Sequence, residues 1–184
     1  MTKINFLIIS LIFYSFIFLS LNKIYGANEQ LVCPGLKLFN RWCAGEHLEN
    51  NIKACIMVTK PTKEEGDYKK TNRGQPSLTV YHLPSQDAEG VVYVTAGYKY
   101  RSESYVSIII DNKKEFDLKL IEGDTAFLDE EELEKNLVKS MKKGNNLKII
   151  GYSTRGTKTT DTYSLMGFTS AYNHISKSCN IKTN

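Results

Sequence analysis

The sequence lacks the patterns by which most enzymes and metalloproteins are recognised. Its 184 residues include only three histidines, no Cys-x-x-Cys pair, no Gly-x-Ser-x-Gly nucleophile turn and no glycine-rich phosphate loop. Internal repeats and low-complexity segments are also missing, which argues against a repeat architecture. These absences predict a protein without enzymatic activity and without a cofactor or bound metal.

A hydrolase stays as a third hypothesis because a few suitable side chains are present. Such an enzyme needs a nucleophile, a base and an orienting acid. The candidates are Ser153, Ser164, Asp161 and His174. His174 falls beside the apolar stripe of a predicted helix, where a packed or surface histidine is the simpler interpretation.

Charge of one sign is not in large excess. The chain has 24 basic and 20 acidic residues, and loss of the first 26 residues removes Lys3 and Lys23, so that 22 minus 20 leaves a net charge of +2. A dedicated nucleic-acid binder usually has a strong basic excess, so we predict no nucleic-acid partner. The remaining 158 residues, 27–184, suit a single domain with a full core.

The N-terminus has the order of a secretory signal. Met1 to Lys3 is short and basic, Ile4 to Leu21 is apolar and uncharged, and the small residues Gly26 and Ala27 follow. We predict a signal peptide over 1–26. As a helix the apolar run would reach about 27 Å, nearly a hydrocarbon core, so an uncleaved N-terminal anchor is the alternative. Either way the rest is exported, to the periplasm or to the outer membrane and cell surface, and meets a membrane only through this segment if it is uncleaved.

Four cysteines follow this segment: Cys33, Cys43, Cys55 and Cys179. In an oxidising compartment an even number of cysteines indicates disulfide bonds rather than metal or redox chemistry. Four cysteines allow three connectivities, and their spacing alone does not choose among them.

Apolar residues alternate with period two along most of the mature chain, which predicts strands. The predicted strands are 54–58, 78–83, 91–95, 106–110, 116–120, 147–152 and 160–165. The polar link Asp111 to Lys114 predicts a hairpin. Many short strands with polar turns predict a mainly β protein, either a sandwich or a barrel.

Two short helices interrupt the strands. The first is predicted to start after Asp129 as its N-cap and to stop at Gly144. The second carries an apolar stripe that ends with Cys179 on the same side: Phe168, Ala171, Tyr172 and Ile175. This stripe is expected to turn the Cys179 thiol inward, towards the strands.

Two further segments read as connections. Lys60 to Pro76 is charged and has no apolar periodicity, so we predict a long exposed loop. Arg155-Gly156-Thr157 predicts a turn between the last two strands, because Gly156 is free to adopt a positive φ.

Four tyrosines cluster around Gly97: Tyr93, Tyr98, Tyr100 and Tyr105. Strand packing is their simpler role, and a partner-binding face is the alternative.

The run from Gly151 to Thr169 is the most specific stretch of the sequence. It resembles the pattern S-x-R-G-T-x-T-T-D-x-Y-S-L-x-G-F-T, which precedes a short helix and a terminal cysteine in the invasion-associated locus B family of alphaproteobacterial exported proteins. The positions in register are Ser153, Arg155 to Thr157, Thr159 to Asp161, Tyr163 to Leu165, Gly167 to Thr169 and Cys179. The resemblance extends back through Cys55 and Trp42 and covers about 38–179.

The resemblance implies an immunoglobulin-like β-sandwich with two short helices, exported and without a recognised catalytic residue. It implies a link to host-cell invasion in some pathogenic members. The family also has a cysteine at the positions of Cys55 and Cys179, so we expect these two to be bonded and Cys33 to pair locally with Cys43. We therefore expect a non-enzymatic envelope or surface protein that binds an unknown macromolecule of the envelope or of a host surface. A periplasmic envelope stress or assembly factor is the alternative.

Overall fold

The computed structural model describes residues 31–49 and 51–182. The predicted signal peptide or anchor over 1–26 lies outside this range. None of the helices described is long and apolar enough to span a membrane.

The described chain folds into twelve strands and two helices. The strands are β1 (Lys37–Phe39), β2 (Trp42–Glu49), β3 (Ile52–Thr59), β4 (Lys63–Gly66), β5 (Ser77–Leu83), β6 (Ala88–Thr95), β7 (Val106–Ile110), β8 (Lys114–Leu118), β9 (Leu120–Glu122), β10 (Thr125–Phe127), β11 (Asn146–Tyr152) and β12 (Lys158–Ser164). The helices are α1 (Glu131–Lys143) and α2 (Phe168–Ser178).

The strands form two antiparallel sheets. A seven-stranded sheet has the order β1-β2-β3-β5-β6-β10-β9, and a five-stranded sheet has the order β4-β12-β11-β7-β8. Because side chains alternate along a strand, one face of each sheet turns towards the other sheet, and these two faces contribute to one large buried cluster. Met57 and Val94 of the larger sheet lie in this cluster with Ile108 and Ile149 of the smaller one. A second, smaller cluster lies on the opposite face of the seven-stranded sheet: Ala54, Ile56, Tyr81, Leu83 and Ala88. The predicted mainly β sandwich with two short helices is confirmed.

Helix α2 closes one side of the core, as its apolar stripe predicts. Phe168, Ala171 and Ile175 are fully buried, and Phe168 meets the ring of Trp42 edge-on at 5.1 Å. The start of α1 differs from the prediction. The helix begins at Glu131, and Glu130 rather than Asp129 is the N-cap, without a side-chain capping bond. Acidic residues in its first turn still suit the positive end of the helix dipole.

The strand predicted over 116–120 is in fact two strands in different sheets. Phe116 and Leu118 belong to β8 of the five-stranded sheet, whereas Leu120 begins β9 of the seven-stranded sheet. Lys119 makes the crossing between them. Phe116 and Leu118 are buried in the shared core, whereas Leu120 is only half-buried and Ile121 is the β9 residue that packs against that core, so the alternation changes phase at the crossing.

The prediction of a long exposed loop over Lys60 to Pro76 is wrong in its central part. The segment contains β4, which pairs antiparallel with β12, and a short 3-10 turn at Lys70–Asn72. It also contains Arg73, whose side chain is only 3% exposed. Apolar periodicity is missing because the segment is held by backbone pairing and by one buried charge rather than by an apolar face.

Arg73 forms a two-point ion pair with Asp161 of β12. Its Nη1 donates to Oδ1 at 2.8 Å and its Nη2 to Oδ2 at 2.5 Å. Nε donates to the carbonyl oxygen of Ala96, just after β6, at 2.8 Å, and the guanidinium lies between the rings of Tyr68 and Tyr98. Arg73 therefore ties the segment between β3 and β5 to both sheets.

The two disulfide bonds in the structure join Cys55 to Cys179 and Cys33 to Cys43, with Cα separations of 6.0 and 5.4 Å.

We predict that replacing Cys55 and Cys179 together by alanine lowers the free energy of unfolding more than replacing Cys33 and Cys43. The first bond spans 124 residues and should contribute about 4–5 kcal/mol on the chain-entropy model, and the second, spanning 10, about 2–3 kcal/mol. Urea unfolding of both double variants measures this. A larger loss for the local pair, or a non-reducing peptide map that links Cys43 to Cys55, would contradict it.

We also predict that Asp161→Asn is severely destabilising, by about 3–5 kcal/mol, because it removes the buried counter-charge of the Arg73 guanidinium and leaves only the longer, more exposed ion pair with Glu64 at 3.3 Å. The matched control is Glu65→Gln, which breaks the exposed ion pair with Lys63 and should cost less than about 1 kcal/mol. In the double variant Arg73→Leu/Asp161→Leu the loss should be smaller than the sum of the two single losses. Equal losses for Asp161→Asn and Glu65→Gln in thermal unfolding would rule this out.

Candidate functional site

Three connections meet at one end of the sandwich, which we call the loop end (residues 96–105, 119–124 and 152–158). A backbone bridge pairs Tyr100 with Ser153. On either side of it, the Arg101 N–H donates to the Tyr152 carbonyl at 2.9 Å, and the Thr154 N–H donates to the Lys99 carbonyl at 3.0 Å. The Tyr100 N–H donates to the carbonyl of Gly123, on the β9–β10 turn, at 2.8 Å. Residues 99–101 thus bridge the two sheets.

The inner side of the loop end is packed with tyrosine. Tyr100 is buried under Gly151, where an added Cβ would lie 2.6 Å from the Tyr100 ring. Tyr98 contacts the Arg73 guanidinium, and its hydroxyl forms a hydrogen bond of 2.7 Å with Thr159. The packing role expected for the tyrosine cluster therefore fits these two residues. Tyr105 differs, because its side chain is 56% exposed.

The outer side of the loop end carries basic side chains. Since side chains alternate along a strand, the neighbours of buried Tyr100, Lys99 and Arg101, point to the opposite face. The cross-strand partner of Arg101 is Tyr152, and the partner of Tyr152 on β12 is Lys158. Tyr152 is 38% exposed and lies between these two cations. We call Lys99, Arg101, Arg155 and Lys158 the basic strip.

Arg155 occupies the tip of the turn between β11 and β12. The predicted positive φ is present, at 81° for Gly156. The turn is closed by a bond from the Ser153 N–H to the Thr157 carbonyl at 3.0 Å, and the Ser153 hydroxyl oxygen accepts the N–H groups of Arg155 and Thr157. The backbone of this turn is therefore fixed, while the Arg155 side chain is exposed and makes no polar contact with the described part of the chain.

A shallow cavity of about 430 Å³ lies beside the strip. Its lining includes Lys99, Lys119, Glu103, Thr154 and the ring of Tyr100. None of the strip residues, nor Lys119, forms a salt bridge with any acidic residue in 31–49 or 51–182. Acidic residues on the flanking turns are Glu103, Glu122 and Asp124. The loop end thus combines unpaired cations, exposed tyrosine and open space.

The candidates for hydrolysis have other roles in the structure. The Ser153 hydroxyl accepts hydrogen bonds within the turn, and the Ser164 hydroxyl accepts the Met166 N–H at 3.2 Å. Asp161 is paired with Arg73, and burial raises the pKa of its carboxyl while Arg73 opposes that increase. The ring of His174 packs at 5.0 Å from Phe39. The structure does not bring a serine, His174 and Asp161 together as a catalytic triad.

A buried His–Ser contact that the sequence did not indicate joins β5 to α2. His82 Nδ1 accepts the Gly90 N–H at 2.9 Å, so Nε2 carries the proton and donates to the Ser176 hydroxyl at 3.0 Å. Ser176 in turn donates to the Tyr172 carbonyl at 2.8 Å. A general base must accept the serine proton instead, so this contact is arranged for packing.

Within residues 31–49 and 51–182 no three His, Cys, Asp or Glu side chains group as metal ligands. The absence of enzymatic chemistry, cofactor and metal stays a prediction.

The pKa of His82 in the His–Ser contact and the pKa of Glu134, a half-buried residue of α1, are shifted in opposite directions. Burial raises the pKa of Glu134 to about 7, although its carboxylate accepts the Val92 N–H at 2.8 Å. Burial, with Lys142 nearby, lowers the pKa of His82 to about 4. The stability from Glu134 is complete below its ordinary pKa of 4.5 and is lost as the pH rises through about 7. The stability from His82 is complete above its ordinary pKa of 6.5 and is lost as the pH falls through about 4.

We predict that Glu134→Gln removes the pH-dependent contribution of Glu134 to the stability of the fold. The amide oxygen still accepts the Val92 N–H but does not titrate, so the variant should gain stability relative to wild type as the pH rises from 4.5 to about 7. The difference in Tm between variant and wild type, followed across this range, measures the effect. Glu132→Gln, an exposed change on the same helix, should give a constant difference. A pH-independent difference for Glu134→Gln would show that this assignment is wrong.

Comparison with known proteins agrees with the geometry. The family model described as "Invasion associated locus B (IalB) protein" matches residues 40–176. Among solved structures, the crystal structure of invasion associated protein B from Bartonella henselae is similar, with a TM-score of 0.55 and 18% identity over 79% of this chain and 97% of that chain. At this identity the likeness shows the fold alone. Curated proteins gave no match. Because the family match spans well over half of its residues, the chain belongs to the invasion associated locus B family.

Proposed function

We propose that the chain is an exported, non-enzymatic binding protein of the envelope or cell surface, and that it engages a macromolecular partner through the loop end. The observation that carries this proposal is the basic strip. Its cations have no acidic partner within the described residues, yet the backbone beneath them is fixed by hydrogen bonds to both sheets. Fixed presentation lowers the entropy lost on binding.

The composition of the loop end also suits recognition. Arginine and tyrosine dominate binding energy in protein interfaces, because both offer large contact area together with polar groups. Arg101, Arg155, Tyr105 and Tyr152 are exposed together here. The two disulfides support export, since such bonds persist in oxidising compartments. Sequencing the N-terminus of protein from the exported fraction would decide between cleavage near Gly26 and an anchor.

The family, invasion associated locus B, and the name of the Bartonella henselae protein support a partner on a host surface. In this proposal the exported protein contributes to attachment during host-cell invasion. The alternative, a periplasmic stress or assembly factor, places the partner inside the bacterial envelope. Binding to host cells and to isolated envelopes distinguishes these two locations.

We predict that the variant Arg101→Ala/Arg155→Ala loses partner binding at least tenfold, or about 1.4 kcal/mol. Both side chains are exposed, so its Tm should stay close to that of wild type. The matched control, Lys113→Ala/Lys143→Ala, also removes two exposed cations, on the β7–β8 turn and at the end of α1. Labelled exported protein is titrated onto host cells and onto envelopes. Equal affinities for wild type and both variants would contradict the proposal.

A further inference from the structure

We infer that the ligand of the loop end is an anionic polysaccharide, whose carboxylate, sulfate or phosphate groups contact the basic strip. This inference rests on the proposed function and names its ligand. It depends on how the cations are spaced, on what lies between them and on what the loop end lacks.

The cations are spread over an open surface rather than gathered in one pocket. Lys99 and Arg101 are two residues apart on one extended segment, which places them about 7 Å apart on the same face. Cross-strand partners such as Arg101 and Tyr152, or Tyr152 and Lys158, are about 5 Å apart. Arg155 lies at the tip of the turn, beyond Thr154, which is opposite Lys99. A chain with repeated negative charges can meet separated cations at several points, whereas a single small anion prefers donors that converge.

The groups between the cations suit sugar rings. Tyr152 lies between Arg101 and Lys158, and an exposed aromatic ring offers an apolar face with a polar edge, which matches the C–H face and hydroxyl groups of a sugar. The cavity next to the strip has the hydroxyl-bearing residues Ser102, Ser104 and Thr154 in its lining, although the Ser104 hydroxyl donates to the Arg101 carbonyl at 2.7 Å. Its volume of about 430 Å³ lies in the range of small-molecule clefts.

The loop end is less suited to other macromolecular partners. The centre of a protein–protein interface is usually more apolar than its rim. The exposed aliphatic side chains of the described chain lie elsewhere, however: Val32, Leu38, Leu48 and Met166. A nucleic acid has denser charge, and the acidic side chains of Glu103, Glu122 and Asp124 on the flanking turns oppose its approach. A polysaccharide with spaced charges fits both observations.

Binding is measured with the exported protein and five immobilised probes: heparin, hyaluronate, lipopolysaccharide, neutral dextran and single-stranded DNA. Heparin and hyaluronate represent host polysaccharides with and without sulfate, and lipopolysaccharide, before and after dephosphorylation, represents the bacterial surface. We expect at least one anionic polysaccharide to bind more tightly than dextran and DNA, with affinity that falls as salt rises. Arg101→Ala/Arg155→Ala should weaken that binding at least tenfold, and Lys113→Ala/Lys143→Ala should leave it unchanged.

Tyr152→Ser separates sugar recognition from charge alone. It retains every cation, so it should weaken polysaccharide binding severalfold without changing the salt dependence. Binding of none of the polysaccharides, or tighter binding of DNA, would overturn the inference, and so would a Tyr152→Ser variant that binds like wild type. If cell binding survives enzymatic removal of surface glycans but still requires Arg101 and Arg155, the inference is wrong and the proposed function stands. If cell binding is independent of these two arginines, the proposed function itself fails.

Discussion

The buried ion pair between Arg73 and Asp161 fastens the segment between β3 and β5 to both sheets. Transfer of two charges from water costs several kcal/mol per ion, and only good geometry with further hydrogen bonds offsets this cost. Arg73 meets that condition with five hydrogen bonds, to Asp161 twice and to Glu64, Tyr68 and Ala96. Because replacing both partners of such a pair by apolar residues is often neutral or stabilising, we infer that this pair specifies one arrangement of the chain rather than adding net stability. It selects the path by which the segment between β3 and β5 crosses from one sheet to the other and returns.

The loop end takes its shape from this pair through a short series of contacts. Tyr98 stacks on the Arg73 guanidinium and bonds Thr159 of β12, and its ring meets that of Tyr100 edge-on at 5.4 Å. Tyr100 fills the space that Gly151 leaves empty. With Tyr100 held inward, alternation turns Lys99 and Arg101 outward. The position of buried Arg73, whose hydrogen bonds are made within the protein, therefore determines through the two tyrosines where the unpaired surface cations Lys99 and Arg101 lie.

The elements predicted correctly are those whose signal lies in neighbouring residues of the sequence. The alternation of apolar residues predicted β7, β11 and β12, the apolar stripe predicted α2, and Gly156 predicted the turn between β11 and β12. Sequence reasoning missed β4 and the burial of Arg73, because the partner Asp161 is 88 residues further along the chain. It likewise missed the basic strip, since only the register between residues 99–101 and 152–154 brings its members together. The cations that flank buried Tyr100 were visible in the sequence, but nothing local shows which face of that segment is covered.

Most residues of the run that resembles the family pattern stabilise the fold. Ser153 closes the turn, Thr159 and Asp161 hold Tyr98 and Arg73, and Tyr163 is fully buried between the sheets. Arg155 differs from these residues, because its position is also in register with the family pattern but its side chain is exposed and unpaired within the described residues. Residues that maintain a sandwich can be common to proteins with different ligands, since function resides in the site and not in the fold. Family membership therefore explains why this chain has a rigid loop end, whereas the ligand must be sought in the few side chains, Arg155 first, that the fold does not need.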